Sequence, residues 1–161
     1  MNEIVELSRS LGQRLKELGW TITTAESCTG GGISAAITEV AGSSDYFNCA
    51  FITYSNQAKS TMVDVPPCAI EQHGAVSQAV VEYMAMGAAD KAQANMAIAV
   101  SGVAGPGGGT KDKPVGTVWM AIYLDSEKIA GQSTVWSHCF SFAGDRERVR
   151  QQTVKAALFK A

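Results

Sequence analysis

The sequence predicts an α/β fold, a three-layer α/β/α domain on a mixed sheet that includes a C-terminal antiparallel hairpin. Three observations predict it. Helical and strand-like stretches alternate through the first two thirds of the 161-residue chain, the pattern that feeds strands through helical crossovers. Residues 96–100 form a short, nearly continuous apolar run, which suits a central strand covered on both faces. Residues 116–124 and 129–142 then read as two long strands, with Asp125-Ser126-Glu127-Lys128 turning between them.

Each element follows from its own spacing. Ile4, Leu7, Leu11, Leu15 and Leu18 make one apolar stripe, the mark of an amphipathic first helix, and Gly19 is its expected stop. Residues 20–25 lean apolar with β-branched members and read as a strand. Ile33, Ala36, Ile37 and Val40 recur at helical spacing over 32–40, ending near Gly42. Residues 48–54 are a second strand, which delivers Tyr54, Ser55 and Lys59 past its end, where ligands collect in open α/β sheets. Pro66-Pro67 breaks the chain. A third helix after His73-Gly74 has Ser77 in its first turn and points Val76, Val80 and Met84 inward. A last helix spans about 145–160, with Asp145 near its start. No linker, repeat or low-complexity segment divides the sequence, so residues 1–161 are expected to form one domain.

Composition excludes several classes. Hydrophobic residues are 46% and charged residues 17%, which provides a core and argues against disorder. A net charge of -2 gives no electrostatic case for nucleic acid or an anionic membrane as partner. No apolar run approaches spanning length, and the opening Met1-Asn2-Glu3-Ile4-Val5-Glu6 is acidic, unlike a signal peptide; a cytoplasmic protein is expected. Cys28, Cys49, Cys68 and Cys139 are scattered, which argues against a zinc ribbon or a disulfide scaffold. They are expected to be reduced and mostly buried, with Cys28 set apart because a helix start lowers a thiol pKa.

Chemistry concentrates in Thr24-Ala25-Glu26-Ser27-Cys28-Thr29-Gly30-Gly31-Gly32, read as strand, tight turn and helix. Such a turn puts two hydroxyls and a thiol beside free backbone amides. Amides at Cys28, Thr29 and Gly30 would stabilise an oxyanion or hold a phosphate. The alternative is a plain βα connection with Ser27 as helix cap. A second glycine cluster, Ser101-Gly102-Val103-Ala104-Gly105-Pro106-Gly107-Gly108-Gly109-Thr110, is either an anion cradle or a surface loop; neither cluster matches a Walker or dinucleotide signature. His73 and His138 are the only histidines, too few for an evident triad or metal site, so no metal or cofactor is expected. A serine activated by a neutral buried lysine remains, with Ser27 and Lys59 both past strand ends and Tyr54 placed to relay a proton or orient either partner. Cys28 is the rival nucleophile.

The same stretch, together with Val40-Ala41-Gly42-Ser43-Ser44-Asp45-Tyr46-Phe47, Phe51-Ile52-Thr53-Tyr54-Ser55-Asn56-Gln57-Ala58-Lys59 and Gly74-Ala75-Val76-Ser77, resembles the CinA C-terminal-domain family in order. The second glycine cluster, Lys113-Pro114-Val115-Gly116-Thr117-Val118-Trp119 and Gly144-Asp145-Arg146 extend the resemblance over nearly the whole chain. It is closest to the family's stand-alone nicotinamide-nucleotide amidases. It implies hydrolysis of nicotinamide mononucleotide to nicotinate mononucleotide and ammonia, with Ser27 as nucleophile assisted by Lys59 and Tyr54. It further implies a small-molecule nucleotide partner, a homo-oligomer, and a substrate-binding set of Ser44, Ser101, Gly102, Gly105, Gly107, Thr110 and Arg146. The family also contains members without activity, so the alternative is a silent nucleotide-binding module that acts with competence or DNA-repair partners.

Overall fold

A computed structural model describes residues 2–125 and 133–161. The elements run α1 (Asn2–Leu18), β1 (Ile22–Glu26), α2 (Gly32–Thr38), a 3-10 turn (Ser43–Asp45), β2 (Phe51–Ile52), α3 (Asn56–Val63) and α4 (Pro67–His73). They continue with α5 (Gln78–Ala92), β3 (Met96–Gly102), β4 (Thr117–Leu124), β5 (Thr134–Ser141) and α6 (Arg146–Lys160). The sheet order is β2-β1-β3-β4-β5. β1 is parallel to β2 and β3, whereas β3-β4 and β4-β5 are antiparallel. The mixed sheet and its hairpin pair are as expected; of the turn proposed between them, residues 126–128 lie outside the described residues, as do 129–132 of the second strand.

Alternation along β3 builds the layers. Met96, Ile98 and Val100 face a core shared with α1, α2 and α6, through Leu11, Leu15, Ile33, Ile37, Val149 and Leu158. Ala97 and Ala99 face the opposite way, with Ala25 and Ala121, toward Val80, Val81, Met84 and Ala88 of α5 and Val63 of α3. Small side chains on that face let α5 lie close to the sheet. Burying each large apolar side chain contributes about 1.5–3 kcal/mol, so the two cores jointly fix the sheet between its helices.

The helices past β2 differ from expectation. The segment that delivers Lys59 is itself helical: Ser55 caps α3 by accepting from the Ala58 N–H at 3.0 Å. Pro67 opens α4 instead of only breaking the chain, because the first helical position needs no N–H donor. β2 shrinks to two paired residues, the stretch before it being irregular. Ser77 and Asp145 cap α5 and α6, each accepting a backbone N–H of the first turn. Three of the four cysteines are exposed, contrary to expectation: Cys49 precedes β2, Cys68 is on the outer side of α4, and Cys139 is on the edge strand β5. Among the described residues no helix is long and apolar enough to cross a membrane.

Candidate active site

Ser27 and Lys59 meet because β1 and β2 are parallel neighbours, with Glu26 opposite Ile52. The ladder continues one step past each strand: the Ser27 N–H donates to the Val100 carbonyl at 3.1 Å and the Thr53 N–H to the Glu26 carbonyl at 2.8 Å. The chain leaving β2 therefore passes beside Ser27, and the opening turn of α3 swings Lys59 back under it. Lys59 Nζ donates to Ser27 Oγ at 3.1 Å, to the Thr53 carbonyl at 3.0 Å and to the Tyr54 carbonyl at 3.3 Å. The Ser27 hydroxyl in turn donates to the Tyr54 carbonyl at 3.3 Å.

Lys59 is 1% exposed, and among the described residues no carboxylate forms an ion pair with it. Burial pulls its pKa below the ordinary lysine value, partly opposed by the neighbouring Cys28. The hydrogen-bond inventory accommodates both charge states. Protonated, Nζ has three N–H groups for the two carbonyls and Ser27 Oγ. Neutral, it gives two N–H groups to the carbonyls and turns its lone pair to the Ser27 proton.

The turn after Ser27 is held by a carboxylate that sequence reasoning passed over. Glu26 is fully buried at the end of β1. It accepts from Thr24 Oγ1 at 3.0 Å, Thr29 Oγ1 at 2.6 Å, the Ile33 N–H at 2.8 Å, the Ser34 N–H at 2.9 Å and Ser34 Oγ. Glu26 thus occupies the Ile33 and Ser34 amides in the first turn of α2. Gly31, at φ 104°, makes the left-handed entry into α2 that a side chain would oppose. Among the described residues no acceptor outside their own residues is found for the N–H groups of Cys28 and Thr29, the Cys28 N–H bonding its own thiol, whereas the Gly30 N–H is taken by the Ser27 carbonyl at 3.0 Å. Cys28 itself is 5% exposed, and burial pushes its thiol up to about 11, reinforced by the charge of Glu26. The expected thiol activation is therefore overturned: desolvation outweighs any help from the turn.

Around this pair is a cavity of about 280 Å³. Ser27, Cys28, Tyr54, Lys59, Ser101, Gly102, Gly105, Gly107 and Arg146 all line it. Among the described residues its charged lining is Lys59 and Arg146, with no acidic side chain, in a chain of net charge -2. Arg146, at the start of α6, donates from Nη1 to the Gly105 carbonyl at 2.7 Å and from Nη2 to Tyr54 Oη at 2.9 Å. It ties the start of α6 to two separate loops across the cavity.

The family model of the CinA C-terminal domain matches residues 4–160. The chain belongs to the CinA C-terminal domain family. Among its relatives, the nicotinamide-nucleotide amidohydrolase PncC of Shigella flexneri is 49% identical over 157 residues, covering 98% of this chain and 92% of that protein. The protein of the same name from Pseudomonas putida is 51% identical over 158 residues, covering 98% and 94%. The crystal structure of the competence/damage inducible protein CihA from Agrobacterium tumefaciens matches with a TM-score of 0.92 at 40% identity, covering 98% of this chain and 93% of that one.

Not every expected site residue reaches the cavity. Ser44 is exposed in the 3-10 turn, which joins the opposite end of β1 through the Ile22 N–H and the Tyr46 carbonyl. Thr110 is exposed and closes its own turn, exchanging hydrogen bonds with Lys113. The Thr29 hydroxyl points inward to Glu26, and Gly30 is exposed on the side of Arg150. The Tyr54 phenol pairs with Arg146, while it is the Tyr54 carbonyl that touches Ser27 and Lys59. His73 stands at the end of α4 with its carbonyl taken by Lys113, and His138 lies in a row of rings on β5 between Trp136 and Phe140. Among the described residues no cluster of His, Cys, Asp and Glu suits a metal ion. Besides Glu26, the reading missed Arg150, whose spacing of four from Arg146 on one helix face was the available signal.

Proposed function

We propose that this chain is a nicotinamide-nucleotide amidohydrolase using a Ser27–Lys59 pair. The observation that carries the reading is the buried Lys59 Nζ at 3.1 Å from Ser27 Oγ, with carbonyls rather than carboxylates as its other partners. That setting favours the neutral amine, which is the form that takes a proton. The curated names of relatives near 50% identity supply the substrate class.

The steps follow from the groups present. Lys59 Nζ takes the Ser27 proton as Oγ bonds to the carboxamide carbon, and the carbonyl electrons move onto oxygen. The N–H groups of Cys28 and Thr29, which no other described residue takes up, receive that oxyanion; one donor of this kind contributes about 2.7–4 kcal/mol in well-measured cases. The carbonyl re-forms, the C–N bond breaks, and Lys59 returns the proton to nitrogen, which leaves as ammonia. Water then adds to the acyl-serine by the same route and releases the carboxylate product and Ser27. Arg146 and the glycine-rich wall from Gly102 to Gly108 supply a cationic, backbone-lined end of the cavity for a phosphate. The Ser101 hydroxyl, 2% exposed at the end of β3, lies at the same cavity.

The test is ammonia release by purified protein with nicotinamide mononucleotide and with nicotinamide riboside. A charged hydrogen bond of about 1.5–3 kcal/mol to phosphate corresponds to a kcat/KM roughly 10- to 100-fold lower for the riboside. Equal turnover of both would remove the phosphate from the reading, and no ammonia from either would remove the amidase.

A further inference from the structure

We infer that Arg150 is a positioning residue that fixes and polarises the Cys28–Thr29 peptide as oxyanion donor, an inference that rests on the amidase reading above. Arg150 stands on α6, one turn beyond Arg146, and reaches the nucleophile turn from behind. Its Nε donates to the Cys28 carbonyl at 3.1 Å and its Nη2 to the Thr29 carbonyl at 3.1 Å. Among the described residues its guanidinium forms no ion pair, so these two carbonyls are what it is paired with.

Peptide geometry turns this contact into a function. In a trans peptide the C=O and N–H groups point in opposite directions. Holding the Cys28 carbonyl toward α6 therefore directs the Thr29 N–H away from α6. The other groups of the turn are already engaged: the Gly30 N–H donates to the Ser27 carbonyl at 3.0 Å, and Thr29 Oγ1 donates to Glu26 at 2.6 Å. Arg150 on the carbonyl side and Glu26 on the hydroxyl side leave that peptide little freedom to rotate. A cation on the carbonyl also draws charge through the amide and strengthens the N–H as a donor. Because Arg150 lies on an exposed side of α6, replacing it opens no core cavity.

The experiment compares wild type, Arg150→Met and Arg150→Lys by steady-state kinetics and by the Thr29 amide resonance in ¹H–¹⁵N spectra without substrate. Arg150→Met is expected to lower kcat for nicotinamide mononucleotide roughly 10-fold, less than the 10²–10³ of losing an oxyanion donor outright. KM should stay within about twofold, since the residue acts on a group used in the transition state. The pH–rate profile set by Lys59 should not move, Arg150→Lys should recover part of the rate, and the Thr29 proton should shift upfield in Arg150→Met. Unchanged kcat, a loss confined to KM, or an unmoved Thr29 resonance would each overturn the role. An inactive wild type would instead count against the amidase reading, while the Thr29 shift, read without turnover, would still decide whether Arg150 polarises that peptide.

Discussion

At the residue scale, the question is what makes an ordinary serine nucleophilic. Ser27 has no histidine beside it; its polar neighbours are an amine and a carbonyl. Lys59 serves only while uncharged, and burial is the cause that lowers its proton affinity. Activity should therefore rise with pH through a single ionisation below the ordinary lysine range. Lys59→Arg keeps a cation that cannot deprotonate, so kcat should fall about 10²- to 10⁴-fold, the usual contribution of a general base. Initial rates across pH for both proteins check this; a variant with wild-type rate and profile would remove lysine as the base. Ser27, Lys59 and Arg146 were legible because each lies in a recognisable motif. Glu26 and Arg150 were less so: Glu26 reads as one more residue of a strand, and Arg150 meets Cys28 across 122 positions of sequence. The Cys28 expectation failed because a sequence shows the turn but not the desolvation around it.

At the element scale, α3 is the lever of the site, since it carries Lys59 to Ser27. It is seated on α5 at Gly87, where an added Cβ would stand 1.7 Å from the Val63 carbonyl oxygen. That contact is with backbone, so a larger residue must separate the two helices. Gly87→Ala should destabilise the fold by about 1–3 kcal/mol, in the range of overpacked cores, and lower kcat by displacing Lys59. Thermal unfolding with parallel kinetics tests it; unchanged Tm together with unchanged kcat would show that α3 is not seated this way. The sequence hid α3 because Asn56-Gln57-Ala58-Lys59-Ser60-Thr61-Met62-Val63 lacks an apolar stripe, its burial resting chiefly on Lys59 and Val63. α1, with five apolar residues at helical spacing, was plain by the same criterion.

At the scale of the whole molecule, the site leaves a mark on stability. The unfolded chain binds a proton at Lys59 with ordinary lysine affinity, the folded chain more weakly. Between those two values the unfolded state holds the extra proton, so stability rises as pH increases through that window; below it, both states are protonated and the cost of the buried charge is fully present. Cys28 acts in the opposite sense at higher pH: the unfolded thiol ionises near its ordinary value while the folded one holds its proton to about 11. Denaturant titrations from neutral to alkaline pH should therefore show a rising limb that Lys59→Met abolishes. If the variant retained that limb unchanged, the buried amine would not be its source. The arrangement of layers was legible throughout, because β3 alternates large and small apolar residues and the hairpin strands are long. The meeting of Ser27 with Lys59 depended on the parallel register of a two-residue strand, which no local pattern encodes.

The most direct measurement is ammonia release from nicotinamide mononucleotide by Ser27→Ala and Cys28→Ala side by side. The account expects Ser27→Ala to lose at least about 10³-fold in kcat, as the loss of a nucleophile does, and Cys28→Ala to stay within severalfold of wild type. An active Ser27→Ala beside an inert Cys28→Ala would contradict it.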